Sequence, residues 1–318
     1  MNTGIVRRLF LGAALALPML GGATLAQAQD EHFVFVSHSP DSDSWWNVIK
    51  NSLKDAEKDF GVKVDFRNPP NGDLADMARI IEQATAQKPA GIISTIADYS
   101  VLEGPLKAAM AKGIPVITVN SGTAAESKKL GALMHIGQPE YDAGKGAGER
   151  AKAAGVTKFL CVNHYITNNA SVERCQGYAD GLGVQLGDQM IDSGMDPTDV
   201  YNRVKAYLTA HPDTDGILTL GPNSADPVIK LLNDTKSGSK YKSFITFDLD
   251  SDISKAIKDG LVESAIDQQP YLQGYLSVAF LVKYVRLGII PANNVNTGPG
   301  FVTKANIALV EKYAGEYR

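Results

Sequence analysis

The chain has 318 residues, with 31 Lys and Arg against 35 Asp and Glu, and a formal net charge of −4. That balance argues against a nucleic-acid partner, which would call for a basic face. The length allows two domains of ordinary size.

The first 28 residues read as a processed export leader. Arg7 and Arg8 precede the apolar run "LFLGAALALPML", and Ala26-Gln27-Ala28 offers a small-x-small cleavage site with Gln29 as the mature start. A membrane anchor is the alternative, but the run is short and is broken by Pro18 and Gly21-Gly22. "RRLFLG" leaves the Sec and twin-arginine routes both open. Removing the leader takes away two arginines and no acid, so residues 29–318 carry a net charge of −6. No later segment is long and apolar enough to cross a bilayer. The expected mature protein is soluble and lies outside the inner membrane.

Strand-like runs then alternate with helical patterns. "HFVFVSH" precedes a helix from about Trp45 to Phe60. "VKVDF" precedes one starting near Asp73, where Met77, Ile80, Ile81 and Ala84 keep helical spacing. "AGIISTI", "PVITVN" and "ALMHIG" follow as strands, with "VLEGPLKAAMAKG" as a helix between the first two. "KFLCVN", "QMIDSG", "GILTLG", "SFITFD" and "ESAID" alternate with helices around 170–183, 198–210, 224–235, 252–259 and 271–287. This alternation predicts an α/β chain of two doubly wound parallel-sheet lobes. Cys161 and Cys175 are spaced for a local disulfide worth about 3 kcal/mol, or else are two buried thiols.

Ligands of such sheets bind beyond the carboxyl ends of the strands. The polar residues fall there: "SPDSDSWW", Asn120-Ser121, "HYITNNASVERC", "GPNSAD", Asp248 and "DQQP" each follow a strand. No HExxH, no nucleophile elbow and no Walker loop occurs, and the five histidines lack metal-ligand spacing. "GKGAG" at 144–148 lies inside a helix and reads as a small-residue packing face. No cofactor and no metal is expected. The ring of carboxylates, amides, one arginine and aromatics suits a polyhydroxylated molecule, whose hydroxyls both donate and accept. Trp45 and Trp46, the two tryptophans of the chain, stand side by side at a helix start. Neighbours on a helix point about 100° apart, so one ring can pack inward while the other stacks on a sugar face.

From "FVFVSHSPDSDSWWNVIKNSLKDAEKDFGVKVDF" onward the mature chain resembles periplasmic sugar-binding proteins of the ribose-binding type, which serve ABC importers. "GIPVITVNS", "IGQPEYDAGKGAGE", "NNASVERCQGYADGL", "FITFDLD", "AIKDGLVESAIDQQPYLQGY" and "GFVTKANI" carry the likeness in order. The resemblance implies a type I periplasmic binding protein fold with a three-strand hinge. Its crossovers fall near Gly137-Gln138, Gln268-Gln269 and "NTGPG" at 296–300. The implied N-terminal lobe is 29–137 plus 270–297, and the C-terminal lobe is 138–269 plus 298–318.

Site residues carried over by the resemblance are Asp43, Trp45, Trp46, Arg174, Asp248 and Gln268. Asn120 and Ser121 stand where ribose binders have an Asp-Arg pair. The family's Asn after the "GILTL" strand falls near Gly221, with Asn223 as a displaced candidate, and His164 or Tyr165 stands in for the second-lobe aromatic. Plainer roles exist for each: a surface ion pair for Arg174, a helix cap for Asp248, turns for Gln268 and Asn120. Arg174→Ala and Asp248→Ala are expected to abolish ligand binding and leave the fold intact.

The implied function is to bind a monosaccharide, polyol or amino sugar between the lobes and deliver it to an inner-membrane permease, as a monomer. A chemotaxis or sensor-kinase coreceptor, and a secreted sugar-modifying enzyme, are the rival readings.

Overall fold

The computed structural model describes residue 1 and residues 31–318. The expected leader and its cleavage after Ala28 lie outside the described residues. In chain order the first elements are β1 (His32–Val36), α1 (Trp46–Phe60), β2 (Lys63–Arg67), α2 (Leu74–Ala86) and β3 (Gly91–Ser94). Next come α3 (Tyr99–Ala111), β4 (Val116–Val119), α4 (Ala124–Leu130) and β5 (His135–Gly137). The second set is α5 (Glu140–Ala153), β6 (Phe159–Asn163), α6 (Asn169–Leu182), β7 (Met190–Asp192), α7 (Pro197–Ala210) and β8 (Gly216–Thr219). It continues with α8 (Pro222–Asp234), β9 (Ser243–Phe247), α9 (Ser251–Asp259) and β10 (Ser264–Asp267). Then α10 (Pro270–Leu287), β11 (Val295–Asn296) and β12 (Gly300–Thr303) complete the order. The helix α4 and the two short strands β11 and β12 are additions to the elements legible in the sequence. The capping box of Thr123 and Glu126 that starts α4 is its sequence signal.

Two six-stranded sheets result, with orders β11-β5-β4-β3-β1-β2 and β12-β10-β9-β8-β6-β7. All pairings are parallel except β10 with β12. Central strands such as β4 (VITV) and β9 (SFITF) are buried at every position. That is why they read as continuous apolar runs and not as alternating ones: helices cover both faces. The fold is therefore two doubly wound α/β lobes. The chain passes from the first sheet to the second after β5, returns after β10, and passes again between β11 and β12. Further on, the segment that follows β12 reaches back to the first lobe: Asn51 Nδ2 donates to the Glu316 carbonyl at 3.0 Å. Arg318 Nη2 lies 2.7 Å from Asp267 Oδ2 at the end of β10.

The small-residue stripe of α5 decides how close α6 can come. A Cβ on Gly144 would stand 2.1 Å from the Arg174 carbonyl oxygen, and one on Gly148 would stand 2.1 Å from that of Tyr178. Gly177 and Gly181 of α6 meet α5 in the same way. The two helices thus touch backbone to backbone. A disulfide between Cys161 of β6 and Cys175 of α6 pins the same helix to the sheet.

Gly144→Ala is expected to destabilise by about 3 kcal/mol or more, because the clash is with backbone and cannot be relieved by a rotamer change. Urea unfolding of Gly144→Ala beside the wild type checks this. A tolerated Gly144→Ala would mean that the α5–α6 contact is loose.

Candidate functional site

Six strand ends converge on one cavity between the lobes, with about 60 Å³ of enclosed volume. The first lobe contributes Asp43, Trp45 and Trp46 from the β1–α1 segment and Asn120 after β4. The second contributes His164 and Tyr165 after β6, Arg174 from α6, Gly221 and Asn223 after β8, Asp248 after β9 and Gln268 after β10. All eleven positions singled out in the sequence stand on this one wall.

Backbone geometry aims two of them. Asn120 and Asp248 adopt left-handed φ values of 57° and 62° directly after β4 and β9. This conformation costs a non-glycine residue roughly 1–2 kcal/mol and is best tolerated by Asn and Asp. Asp248 is not a helix cap: that role belongs to Asp250, whose carboxylate accepts from the Ile253 N–H at 2.7 Å. Gln268 is more than a turn residue. Its Nε2 donates to both Asp248 oxygens, at 2.8 and 2.9 Å. Its Oε1 accepts from Asn120 Nδ2 at 3.0 Å. A buried amide chain therefore links the first lobe, the crossover and the second lobe.

The tryptophans divide their work. Trp46 is 3% exposed and sits in the first-lobe core against Phe35 and Phe66. Trp45 is half-buried, meets Trp46 edge-on at 5.0 Å and turns toward the cleft. Across the cleft the walls touch. His38 stacks on Tyr165 at 5.2 Å, and Asn168 Nδ2 donates to Ser121 Oγ at 2.8 Å. The Tyr165 hydroxyl and His164 Nδ1 are buried without partners, which leaves them available to a bound molecule.

Arg174 is not a surface ion-pair residue. It is 7% exposed, and its partner Glu140 is 3% exposed. Nε and Nη2 grip the two Glu140 oxygens at 2.7 and 2.9 Å, and Nη1 donates to the Leu220 carbonyl at 2.9 Å. The expectation that Arg174→Ala spares the fold is thereby corrected, since truncation strands a buried carboxylate.

Burial dominates the titration of the site. It pushes the Asp248 carboxyl up to about 7, against the pull of Arg174, Gln268 and Trp45. It raises Asp43 too, opposed by hydrogen bonds from the Trp45 backbone, Asn223 and Trp46. Burial takes His38 down to about 3, with the charge of His164 adding to it. His164 falls to about 4, through burial and the Arg174 charge. Both imidazoles are neutral at pH 7, so Arg174 is the one cation on the wall among the described residues.

The sequence assigned no site role to His38 or Glu140, and it placed Ser121, Asn168 and Ser171 only within strand-end segments; all five line or support the cavity. His38 was legible only as a polar residue after β1. Glu140 carries no sequence signal beyond being the first acid after the β5 crossover.

A family model described as a periplasmic binding protein domain matches residues 33–288. The xylose/arabinose-binding protein XylF of Sulfolobus acidocaldarius is 23% identical over 301 residues, covering 89% of this chain and 74% of that protein. The ribose import binding protein RbsB of Haemophilus influenzae is 24% identical, covering 87% of this chain and 93% of that one. Among solved structures, a carbohydrate transporter from Acidothermus cellulolyticus 11B in complex with myo-inositol is 33% identical, with a TM-score of 0.83. That match covers 90% of this chain and 99% of the other. A solute-binding protein from Burkholderia graminis in complex with D-arabinose is 25% identical, with a TM-score of 0.81, covering 89% of this chain and 99% of the other.

Proposed function

The chain belongs to the periplasmic binding protein domain family, and from that membership we propose that it is the substrate-binding component of an ABC sugar importer. It captures one monosaccharide or cyclic polyol between its lobes and presents the closed form to an inner-membrane permease. The observation that carries this reading is the convergence of strand-end carboxylates, amides and the indole pair on one cavity between the lobes. The inositol and arabinose complexes of its structural relatives set the first candidates.

The proposal includes its setting: export by the leader at residues 1–28, residence in the periplasm, and binding without turnover. It also includes lobes of 29–137 plus 270–297 and of 138–269 plus 298–318, in keeping with the sheet to which each strand belongs. No helix among the described residues is long and apolar enough to cross a membrane.

Closure follows from the chemistry of the walls. Asp43, Asp248 and Gln268 are desolvated when the lobes meet, and buried polar groups cost free energy unless they are hydrogen-bonded. A ring of hydroxyls supplies those bonds from both sides at once, so ligand shifts the population toward the closed form.

The test is a thermal-shift panel on the purified mature protein with myo-inositol, D-arabinose, D-ribose, D-xylose, D-glucose and D-galactose. A ligand present at 100 times its dissociation constant stabilises by about 2.7 kcal/mol, a rise in Tm on the order of 5–10 °C. The binder should be recovered chemically unchanged. A flat panel, or conversion of any member, would count against the proposal.

A further inference from the structure

From the geometry behind the cavity we propose that Glu140 sets the charge selectivity of the site, restricting it to uncharged polyols and excluding sugars that carry a carboxylate. This rests on the sugar-binding reading above and narrows its ligand class.

An arginine in a sugar site can serve two purposes. A free guanidinium is a bidentate trap for a carboxylate. One that is already paired is only a donor of single hydrogen bonds. Arg174 is of the second kind. Glu140 takes Nε and Nη2, the Leu220 carbonyl takes Nη1, and the Phe247 ring lies 4.2 Å from Cζ. The remaining guanidinium hydrogens can bond a hydroxyl, but their charge is balanced within hydrogen-bond distance.

Glu140 is held in place from behind. Gln138 Nε2 donates to Glu140 Oε2 at 2.8 Å, directly after the β5 crossover. The glycine stripe lets the α5 backbone approach α6 closely enough for the pair to form. Asp43 and Asp248 face the same cavity, and Asp248 acts on the guanidinium together with Glu140. Lys50 acts on Asp43 from outside the wall, where its ammonium lies over Phe66. The two imidazoles on the wall are neutral. A ligand carboxylate would find no unpaired cation in the cavity, and Asp43 and Asp248 repel it wherever they are ionised, which selects against it. Glu140 is thus a positioning residue. It acts on the ligand through Arg174 and does not line the cavity.

The experiment compares D-glucose with D-glucuronate and D-galactose with D-galacturonate on the wild type, and tests acetate on Glu140→Gln. The neutral member of a recognised pair should bind at least about 100-fold more tightly than its uronate. Acetate at tens of millimolar should raise the Tm of Glu140→Gln, but not that of the wild type. The double variant Glu140→Gln/Arg174→Gln should lose the response again. A merely structural role for Glu140 would lower stability without moving selectivity.

Wild-type binding of a uronate within about tenfold of its neutral partner overturns the inference, and that comparison needs no variant to fold. A Glu140→Gln protein as indifferent to acetate and uronates as the wild type also overturns it. If no neutral sugar binds the wild type yet Glu140→Gln gains the acetate response, the sugar-binding reading fails while the assignment of Glu140 stands.

Discussion

Arg174→Ala is expected to destabilise the protein by about 3–5 kcal/mol and to abolish its response to sugar. The first effect comes from what is left behind. Glu140, 3% exposed, would keep only Gln138 as a donor, and the Leu220 carbonyl would lose its partner. The second comes from the loss of the cation on the wall and of the hydrogens it directs into the cavity. Urea unfolding and isothermal calorimetry separate the two effects. Replacing both members of the pair, as in Arg174→Met with Glu140→Leu, should restore most of the stability and none of the binding, because an apolar pair of similar volume strands no charge. Full stability in Arg174→Ala alone would show that water reaches Glu140 and that the pair is not truly buried.

Asp248→Asn should weaken sugar binding by roughly 10- to 100-fold, the worth of a charge-assisted hydrogen bond or two, and should also remove a pH dependence. In the ligand-free protein the Asp248 carboxyl titrates near 7 because burial disfavours its charge. A folded-state value raised above the unfolded one stabilises at low pH, and that contribution fades as pH rises from about 4 to about 7. Asn cannot titrate, so its stability relative to wild type should improve between pH 5 and pH 8. The depressed values of His38 and His164 act in the opposite sense in both proteins and cancel in the difference.

Sugar hydroxyls donate to the ionised carboxylate, so binding lowers its pKa and releases protons below pH 7. Wild-type affinity should therefore fall on acidification from pH 8 to pH 5.5, by at most about tenfold per unit. The Asn variant should show a flatter profile. Affinity that rises on acidification would mean that Asp248 donates to the ligand as a neutral acid.

The strand-and-helix alternation was readable because both faces of each sheet are covered, which turns strands into uninterrupted apolar runs such as "VITV" and "SFITF". The location of the site was readable for a related reason: in parallel sheets every strand ends on the same edge, so polar segments that follow strands share one location, while the family resemblance picked out the individual residues within them. The "GKGAG" stripe belongs to the same class, since small residues at helical spacing announce a close helix neighbour.

Tertiary structure alone decided the rest. Trp45 and Trp46 are equivalent on paper, and only the direction in which α1 lies on its sheet sends Trp46 into the core beside Phe35. Asp248 takes a left-handed φ value that no neighbouring glycine or proline signals. Glu140 and Arg174 are 34 residues apart on different helices. Local periodicity reports which face of a helix is buried, but not which group on the next helix it meets. Pairing across elements depends on interhelix distance and rotation, which packing sets globally. So composition and period by themselves determined the architecture and the edge that carries the site, while the charge state of that site arose only when the lobes and helices came together.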